Sequence, residues 1–253
     1  MVREALPTVA IRKRLDVTPE HFKLWLERPA EFPFEPGQYC TIGASGIERP
    51  YSIVSSPSEP LLELFVERIP PPEGQLTPLL HELGVGDAVT IRPRAKGKFL
   101  LRKPFRNHVM IATVTGIAPF ISMLRRWTEE LSGDAHFYVL DGASYVDEFC
   151  YDAELRGLAE RYPNIRFVPT CSRPGDSRNT GWNGVTGRVN EIAEHYVREY
   201  ELQPADTCLY LCGHPQMIED VKTRFADAFA IAEERYWKEP KGSSAARASE
   251  APA

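Results

Sequence analysis

No stretch of this chain is apolar for long enough to cross a bilayer, and Met1-Val2-Arg3-Glu4-Ala5 opens no signal-peptide core. Without either feature, the expected address is the cytoplasm. Cysteine is sparse: Cys40, Cys150, Cys171, Cys208 and Cys212 are odd in number and far apart. That argues against a disulfide framework and excludes the tight spacing of a two-iron ferredoxin cluster. Positive charge is not in excess either; the net charge of -5 gives no global attraction to nucleic acid. No internal repeat is visible, and no metal site is expected.

What is present is enough for two modest cores, with 253 residues, 43% of them hydrophobic and 26% charged. The first hundred residues read as short strands. Residues 22–27 and 62–68 alternate, and 87–92 form another run. Pro33, Pro36-Gly37, Pro57, Pro70-Pro71-Pro72 and Gly84-Val85-Gly86-Asp87 punctuate them. Frequent turns between short strands favour an antiparallel β-barrel, interrupted by one helix over residues 76–83. The pattern then changes. Apolar runs at 108–112, 136–140, 165–169 and 207–211 alternate with helical patterns at 119–131, 147–162, 189–200 and 217–229. That alternation predicts an α/β domain with a parallel sheet covered on both faces. The expected organisation is a barrel domain over residues 1–103, an α/β domain over 104–240, and a mobile tail over 241–253. The last of these is rich in Gly, Ser, Ala and Pro, without apolar periodicity.

Three short motifs carry the chemistry. Arg49-Pro50-Tyr51-Ser52 sits in a strand pattern, so Arg49 and Tyr51 share a side. Together they offer a guanidinium fork for a pyrophosphate and a flat face for an aromatic ring; a surface cross-strand pair is the plainer alternative. Thr113-Val114-Thr115-Gly116-Ile117-Ala118-Pro119-Phe120 turns a buried strand into a helix, where a parallel sheet collects phosphates. Cys212-Gly213-His214-Pro215-Gln216-Met217 does the same about a hundred residues later. Gly74-Gln75-Leu76-Thr77 precedes the barrel's helix and offers either free N–H groups to a phosphate or a plain N-cap, with Thr77 ahead of Pro78.

In this order, and over residues 10–237, these motifs resemble the ferredoxin–NADP⁺ reductase family, in particular its bacterial ferredoxin/flavodoxin branch. The resemblance implies a flavin barrel followed by a nicotinamide-nucleotide domain, with FAD and NADP(H) as cofactors. It implies that Arg49 holds the FAD pyrophosphate, Tyr51 packs on the isoalloxazine and Ser52 bonds near its reactive N5. Gly74, Gln75, Leu76 and Thr77 complete the pyrophosphate site. Phe65 and Val66 match the adenosine side of FAD, or are core. Thr115 touches both cofactors. Tyr236 covers the flavin and Trp237 meets the adenine. On the nucleotide side the implied residues are Gly116, Ser172, Arg173, Arg188, Cys212, Gly213 and Met217, with Cys212 beside the nicotinamide as a packing group. Ser52, Cys212 and Tyr236 are the implied catalytic residues.

The chain departs from the family pattern at Val114, where glycine is usual; valine there is expected to exclude positive φ and reshape the loop. Ser144 stands where related enzymes place a third arginine, and Asp141 lies where dinucleotide folds can hold a ribose-binding acid. The implied reaction is hydride exchange with NADP(H) and one-electron exchange with a separate carrier such as ferredoxin or flavodoxin. Arg92, Arg94, Lys96, Lys98, Arg102, Lys103 and Arg106 fall within a stretch that contains no acid. They would form either its docking face or a charged strand edge. Two other readings stand beside this one: an NADH-dependent flavin or oxygenase reductase, and a non-catalytic flavoprotein subunit of an electron-transfer complex.

Overall fold

The computed structural model describes residues 6–130 and 133–235. The first six strands are β1 (Thr8–Asp16), β2 (His21–Glu27), β3 (Tyr39–Ala44), β4 (Ile47–Ser52), β5 (Leu61–Glu67) and β6 (Ala88–Ile91). They form one antiparallel sheet in the order β4-β3-β6-β1-β2-β5. An antiparallel bridge between Ile53 and Leu64 brings the two edges together, so the sheet curls into a barrel. The β3–β4 hairpin turns on Ser45 and Gly46, both at positive φ, as a two-residue turn with the right twist requires. Ile11, Phe22, Leu24, Ile42, Leu62 and Leu64 are fully buried or nearly so and fill the interior. Helix α1 spans Thr77–Glu82.

The second half holds β7 (Asn107–Thr113), α2 (Ala118–Glu130), β8 (His136–Ala143), α3 (Asp152–Arg161) and β9 (Ile165–Cys171). It continues with β10 (Val185–Thr186), α4 (Val189–Glu199), β11 (Thr207–Cys212), α5 (Pro215–Phe225) and β12 (Ala230–Glu234). The strands are parallel, in the order β10-β9-β8-β7-β11-β12. Successive residues of β7 face opposite cores: Met110 and Ala112 pack on one side with α2 and α3, Val109 and Ile111 on the other with α4 and α5. The order reverses between β7 and β11, and the carboxyl ends of those strands are where such a sheet opens a crevice. Among the described residues no helix is long and apolar enough to cross a membrane.

The structure differs from the sequence expectation in instructive ways. The single helix expected over 147–162 is a 3-10 turn at Val146–Glu148 followed by α3. The break occurs because the Glu148 carboxylate turns back to accept the Ser144 and Tyr145 N–H groups at 2.9 and 3.0 Å. α5 starts two residues early, on Pro215, because His214 caps it through Nδ1 and proline suits the first helical turn. β1, β3, β10 and β12 lie outside the strands that the sequence pattern predicts.

The alternation in β2 and β5 does not separate core from solvent. Lys23 and Glu63 are 9% and 2% exposed, because the outer face of these strands is covered by the second half. Lys23 donates to the Cys150 carbonyl at 2.9 Å and lies 3.4 Å from the Tyr151 ring centre. The Tyr151 hydroxyl donates to Glu63 at 2.8 Å. Arg125, on α2, reaches Glu63 at 2.7 Å and Glu59 at 3.2 Å in the barrel, and Glu154 of α3 at 2.7 Å. The two halves are thus joined by a buried polar seam.

Candidate active site

The carboxyl ends of β7 and β11 touch through their backbones. A Cβ at Gly116 would lie 2.1 Å from the Cys212 carbonyl oxygen, and one at Gly213 would lie 2.2 Å from Thr113 Oγ1. The His214 N–H donates to that same hydroxyl at 2.8 Å. Glycine is obligatory at both positions for this close approach. Thr115 and Gly116 of the 3-10 turn therefore sit directly against Cys212 and Gly213. Cys212 is fully buried.

Val114 corrects the sequence expectation. Rather than excluding positive φ, it adopts φ +46, a conformation that a β-branched side chain rarely takes. The turn keeps its glycine-like path despite the valine.

The first motif ends β4. Arg49 is exposed and its Nη2 donates to Gln75 Oε1 at 2.6 Å, joining the strand motif to the segment before α1. A Cβ at Gly74 would lie 1.8 Å from the Ile69 carbonyl oxygen, so only glycine passes there. Tyr51 is half-buried, and burial pushes its hydroxyl above its ordinary range. Ser52 is 4% exposed, and its Oγ has no hydrogen-bond partner among the described residues.

A functional candidate that the sequence reading missed lies nearby. Glu234, the last residue of β12, is in register with Cys212. Burial pushes its carboxyl up to about 7, and its Oε2 is also buried without a partner among the described residues. Its Oε1 lies 3.5 Å from a Cβ placed on Gly97, and the Tyr39 ring lies 3.2 Å from the same point. Tyr39 in turn pairs with Ser52 across β3 and β4. Ser52, Glu234 and Cys212 therefore belong to one region, where the barrel meets the ends of β11 and β12. An acid closing a short strand two residues before Tyr236 was the available signal; its burial was not legible.

Other expected site residues fall elsewhere. Val66 is fully buried in the barrel core, and Phe65 is 4% exposed in the seam, edge-on to Tyr151. Leu76 and Met217 are likewise packed in hydrophobic cores, at 1% and 4% exposure. Thr77 is not the N-cap: its hydroxyl accepts the Ile69 N–H at 2.9 Å and donates to the Ile69 carbonyl at 3.2 Å. Asp141 is no ribose-binding acid, because it shares the interior face of Phe137 and Val139 at 3% exposure. Desolvation pushes its carboxyl well up, and Asp152 adds to the shift. Ser172 Oγ donates to the Ala143 carbonyl at 3.2 Å, at the ends of β8 and β9. Arg173 follows it and donates to the Tyr145 hydroxyl at 2.8 Å. Arg188 is exposed at the N-cap of α4. Tyr236 and Trp237, and the segment 241–253, lie outside the described residues.

Of the basic stretch, all seven side chains are exposed. Arg92 is engaged bidentately by Glu48 at 2.9 and 2.7 Å, and Arg106 by Asp134 at 3.2 Å. Arg94, Lys96, Lys98, Arg102 and Lys103 have no ion pair among the described residues.

Two buried polar atoms without partners among the described residues, with an exposed arginine and a half-buried tyrosine on β4, suit a flat, polar-edged ring system carrying a pyrophosphate. Comparison with known proteins agrees with that chemistry. Residues 110–223 match the family model of the oxidoreductase NAD-binding domain. The chain is 29% identical over 211 residues to the flavodoxin/ferredoxin–NADP reductase of Escherichia coli (strain K12), covering 79% of this chain and 82% of that one. It is 30% identical over 200 residues to ferredoxin–NADP reductase B of Sorangium cellulosum (strain So ce56), covering 76% and 78%. The crystal structure of a ferredoxin NADP⁺ reductase from Neisseria gonorrhoeae, with bound FAD and NADP, superposes with a TM-score of 0.81 at 26% identity. The match covers 92% of this chain and 100% of that one.

Proposed function

The chain belongs to the ferredoxin–NADP⁺ reductase family, and from that premise we propose how its residues divide the work. The protein is an FAD-dependent oxidoreductase that exchanges electrons between NADP(H) and a carrier such as ferredoxin or flavodoxin. FAD, when bound, supplies the conversion between a two-electron hydride and single electrons, which no side chain here can perform. The chain's part is to bind, orient and exclude water.

In our reading Arg49 and the backbone of residues 74–77 hold the pyrophosphate, with Gln75 holding the Arg49 fork in place. Tyr51 covers one ring face. Ser52 Oγ and Glu234 Oε2 take up the polar edge of the ring, and Cys212 packs beside the nicotinamide. Thr115, Gly116 and Gly213 let the coenzyme approach the backbone, and Ser172, Arg173 and Arg188 face its phosphorylated ribose. Tyr236 and Trp237 keep their proposed roles over the flavin and adenine. The domain limits near residues 103 and 240 are part of the same proposal, as is a cytoplasmic address. For the carrier's docking face we propose Arg94, Lys96, Lys98, Arg102 and Lys103, with Arg92 and Arg106 partly neutralised by their acids.

The observation that carries this reading is the pair of buried atoms without a partner among the described residues, Ser52 Oγ and Glu234 Oε2, on either side of the junction between the barrel and β11–β12. In the polypeptide alone such atoms cost about 1–3 kcal/mol each, and a bound ring with donors and acceptors at its edge relieves that. The test is anaerobic titration of the flavin-loaded protein with NADPH, followed by addition of oxidised ferredoxin or flavodoxin. Bleaching by NADPH and recovery on adding the carrier are expected. A coloured protein that NADPH does not bleach would refute the activity.

A further inference from the structure

Rested on NADP(H) as the coenzyme, the structure points to one more residue. We propose that Arg178, laid on the face of Tyr145, works with Arg173 to read the coenzyme's 2′-phosphate, in place of a cation at the end of β8.

At the end of β8 the chain offers little to an anion. Ser144 carries no charge. The Ser144 and Tyr145 N–H groups, which would otherwise make a backbone nest, both end on Glu148 Oε2. An anion arriving there meets a carboxylate where free donors would help it. Any phosphate contact at this corner must come from side chains reaching in from elsewhere.

The loop after β9 supplies them. Asp176 caps a 3-10 turn at Ser177–Asn179, accepting the Arg178 N–H at 2.9 Å. Asn179 is 1% exposed. Its amide donates to the carbonyls of Ser144 and Arg173 at 3.0 and 2.7 Å, and its oxygen accepts the Val146 N–H at 2.9 Å. Trp182 stacks on Phe149, with ring centres 5.7 Å apart. So the loop is folded back and pinned beside Ser144 by a buried amide.

That pinning sets the position of the preceding residue. Arg178 Cζ lies 3.7 Å from the Tyr145 ring centre, within cation–π range. Arg173 Cζ lies 5.4 Å from the same centre, with Nη1 on the Tyr145 hydroxyl. Two guanidinium groups thus converge on one tyrosine at the carboxyl ends of β8 and β9. Arg178 spends only Nη2 on Asp147, at 2.9 and 3.0 Å. Its Nε and Nη1 have no hydrogen-bond partner among the described residues, and neither do Nε and Nη2 of Arg173. Each guanidinium therefore keeps donors open for a phosphate monoester, the dianion that such forks bind most strongly. Asp147 lowers the local charge but fixes Arg178 flat on the ring, so the group is positioned before the ligand arrives.

The experiment uses the full-length, flavin-loaded protein. Adenosine 2′,5′-bisphosphate and adenosine 5′-monophosphate are titrated calorimetrically into wild type, Arg178→Met, Arg178→Lys and Arg173→Met. The ratio of kcat/KM for NADPH over NADH is measured alongside. Wild type should prefer the bisphosphate, and Arg178→Met should lose at least tenfold of that preference. Arg178→Lys should recover part of it, because lysine keeps the charge and loses the fork. The 5′-monophosphate controls for folding. If Arg178→Met keeps the wild-type preference while Arg173→Met loses it, the assignment to Arg178 is overturned and the coenzyme reading stands. A wild type with no preference for the 2′-phosphate overturns both.

Discussion

Val114 holds φ +46 at the turn from β7 into α2. A β-branched residue in the left-handed region costs about 1–3 kcal/mol, and it persists only because the surroundings fix the path. Here they do so on both sides: Gly116 is locked against Cys212, and Gly213 against Thr113. Val114→Gly should therefore stabilise the fold. Glycine's greater unfolded-state freedom returns about 0.5–1 kcal/mol of the relief, so a net gain of about 1 kcal/mol is expected. The midpoint of urea unfolding should rise without a change in slope. An unchanged or lower midpoint would mean that the valine side chain makes compensating contacts.

The same residue marks where sequence reasoning stops. The motif Thr113–Phe120 was legible because strand, turn and helix each have their own signal. The backbone angle at its odd position was not legible, because it is imposed by a loop about a hundred residues away. Glu234 and Asp141 repeat the lesson: their burial is set by neighbours remote in sequence.

At the scale of elements, α2 links the two halves of the molecule. Its N-terminus carries the Thr115–Gly116 turn, and one of its faces meets the segment that follows the Arg49–Ser52 motif. Ser122 donates to the Ser55 carbonyl at 2.6 Å, Arg125 binds Glu59 and Glu63, and Glu129 accepts from Ser56 and Ser58 at 2.7 and 2.6 Å. These positions recur at helical spacing, so one polar stripe faces the barrel. The periodicity that placed α2 was visible in the sequence. That this stripe would bond the barrel was not, because charged residues on a helix are ordinarily read as solvated.

Glu63 depends most on the stripe. It is 2% exposed and shares its carboxylate between Tyr151 and Arg125. Arg125→Met leaves its carboxylate buried with the Tyr151 hydroxyl and the nearby Lys23 charge but without its ion-pair partner, and breaking a buried pair in this way costs about 3–5 kcal/mol. Chemical denaturation should show that loss, and Glu63→Gln in the same chain should recover part of it. A single variant within 1 kcal/mol of wild type, on the scale of about 0–1 kcal/mol for surface pairs, would mean that the seam is solvated.

For the whole molecule, charge is unevenly spread. The protein is acidic overall, yet one exposed stretch between β6 and β7 presents Arg94, Lys96, Lys98, Arg102 and Lys103, none of them ion-paired among the described residues. Such a face steers an acidic carrier more than it tightens the final complex. Lys96→Glu with Lys98→Glu should lower the second-order rate of ferredoxin reduction by about tenfold at low salt. Turnover with a small dye should be spared, and the difference should shrink as salt rises. Equal slowing with both acceptors would remove the docking role.

The fold at this scale was read correctly in its two layers, an antiparallel barrel and a parallel sheet, because strand length and periodicity are local properties. How the layers are joined, through Lys23, Glu63, Tyr151 and Arg125, depends on contacts across the chain and became visible only in three dimensions.

These two halves together hold FAD so that NADPH can reduce it. The most direct measurement is the visible spectrum of the purified chain after reconstitution with FAD, recorded before and after one equivalent of NADPH without oxygen. A flavin band in the blue that NADPH bleaches is the expected result. A protein that stays colourless after reconstitution, with no absorbance in that region, would mean that the two halves do not hold the flavin.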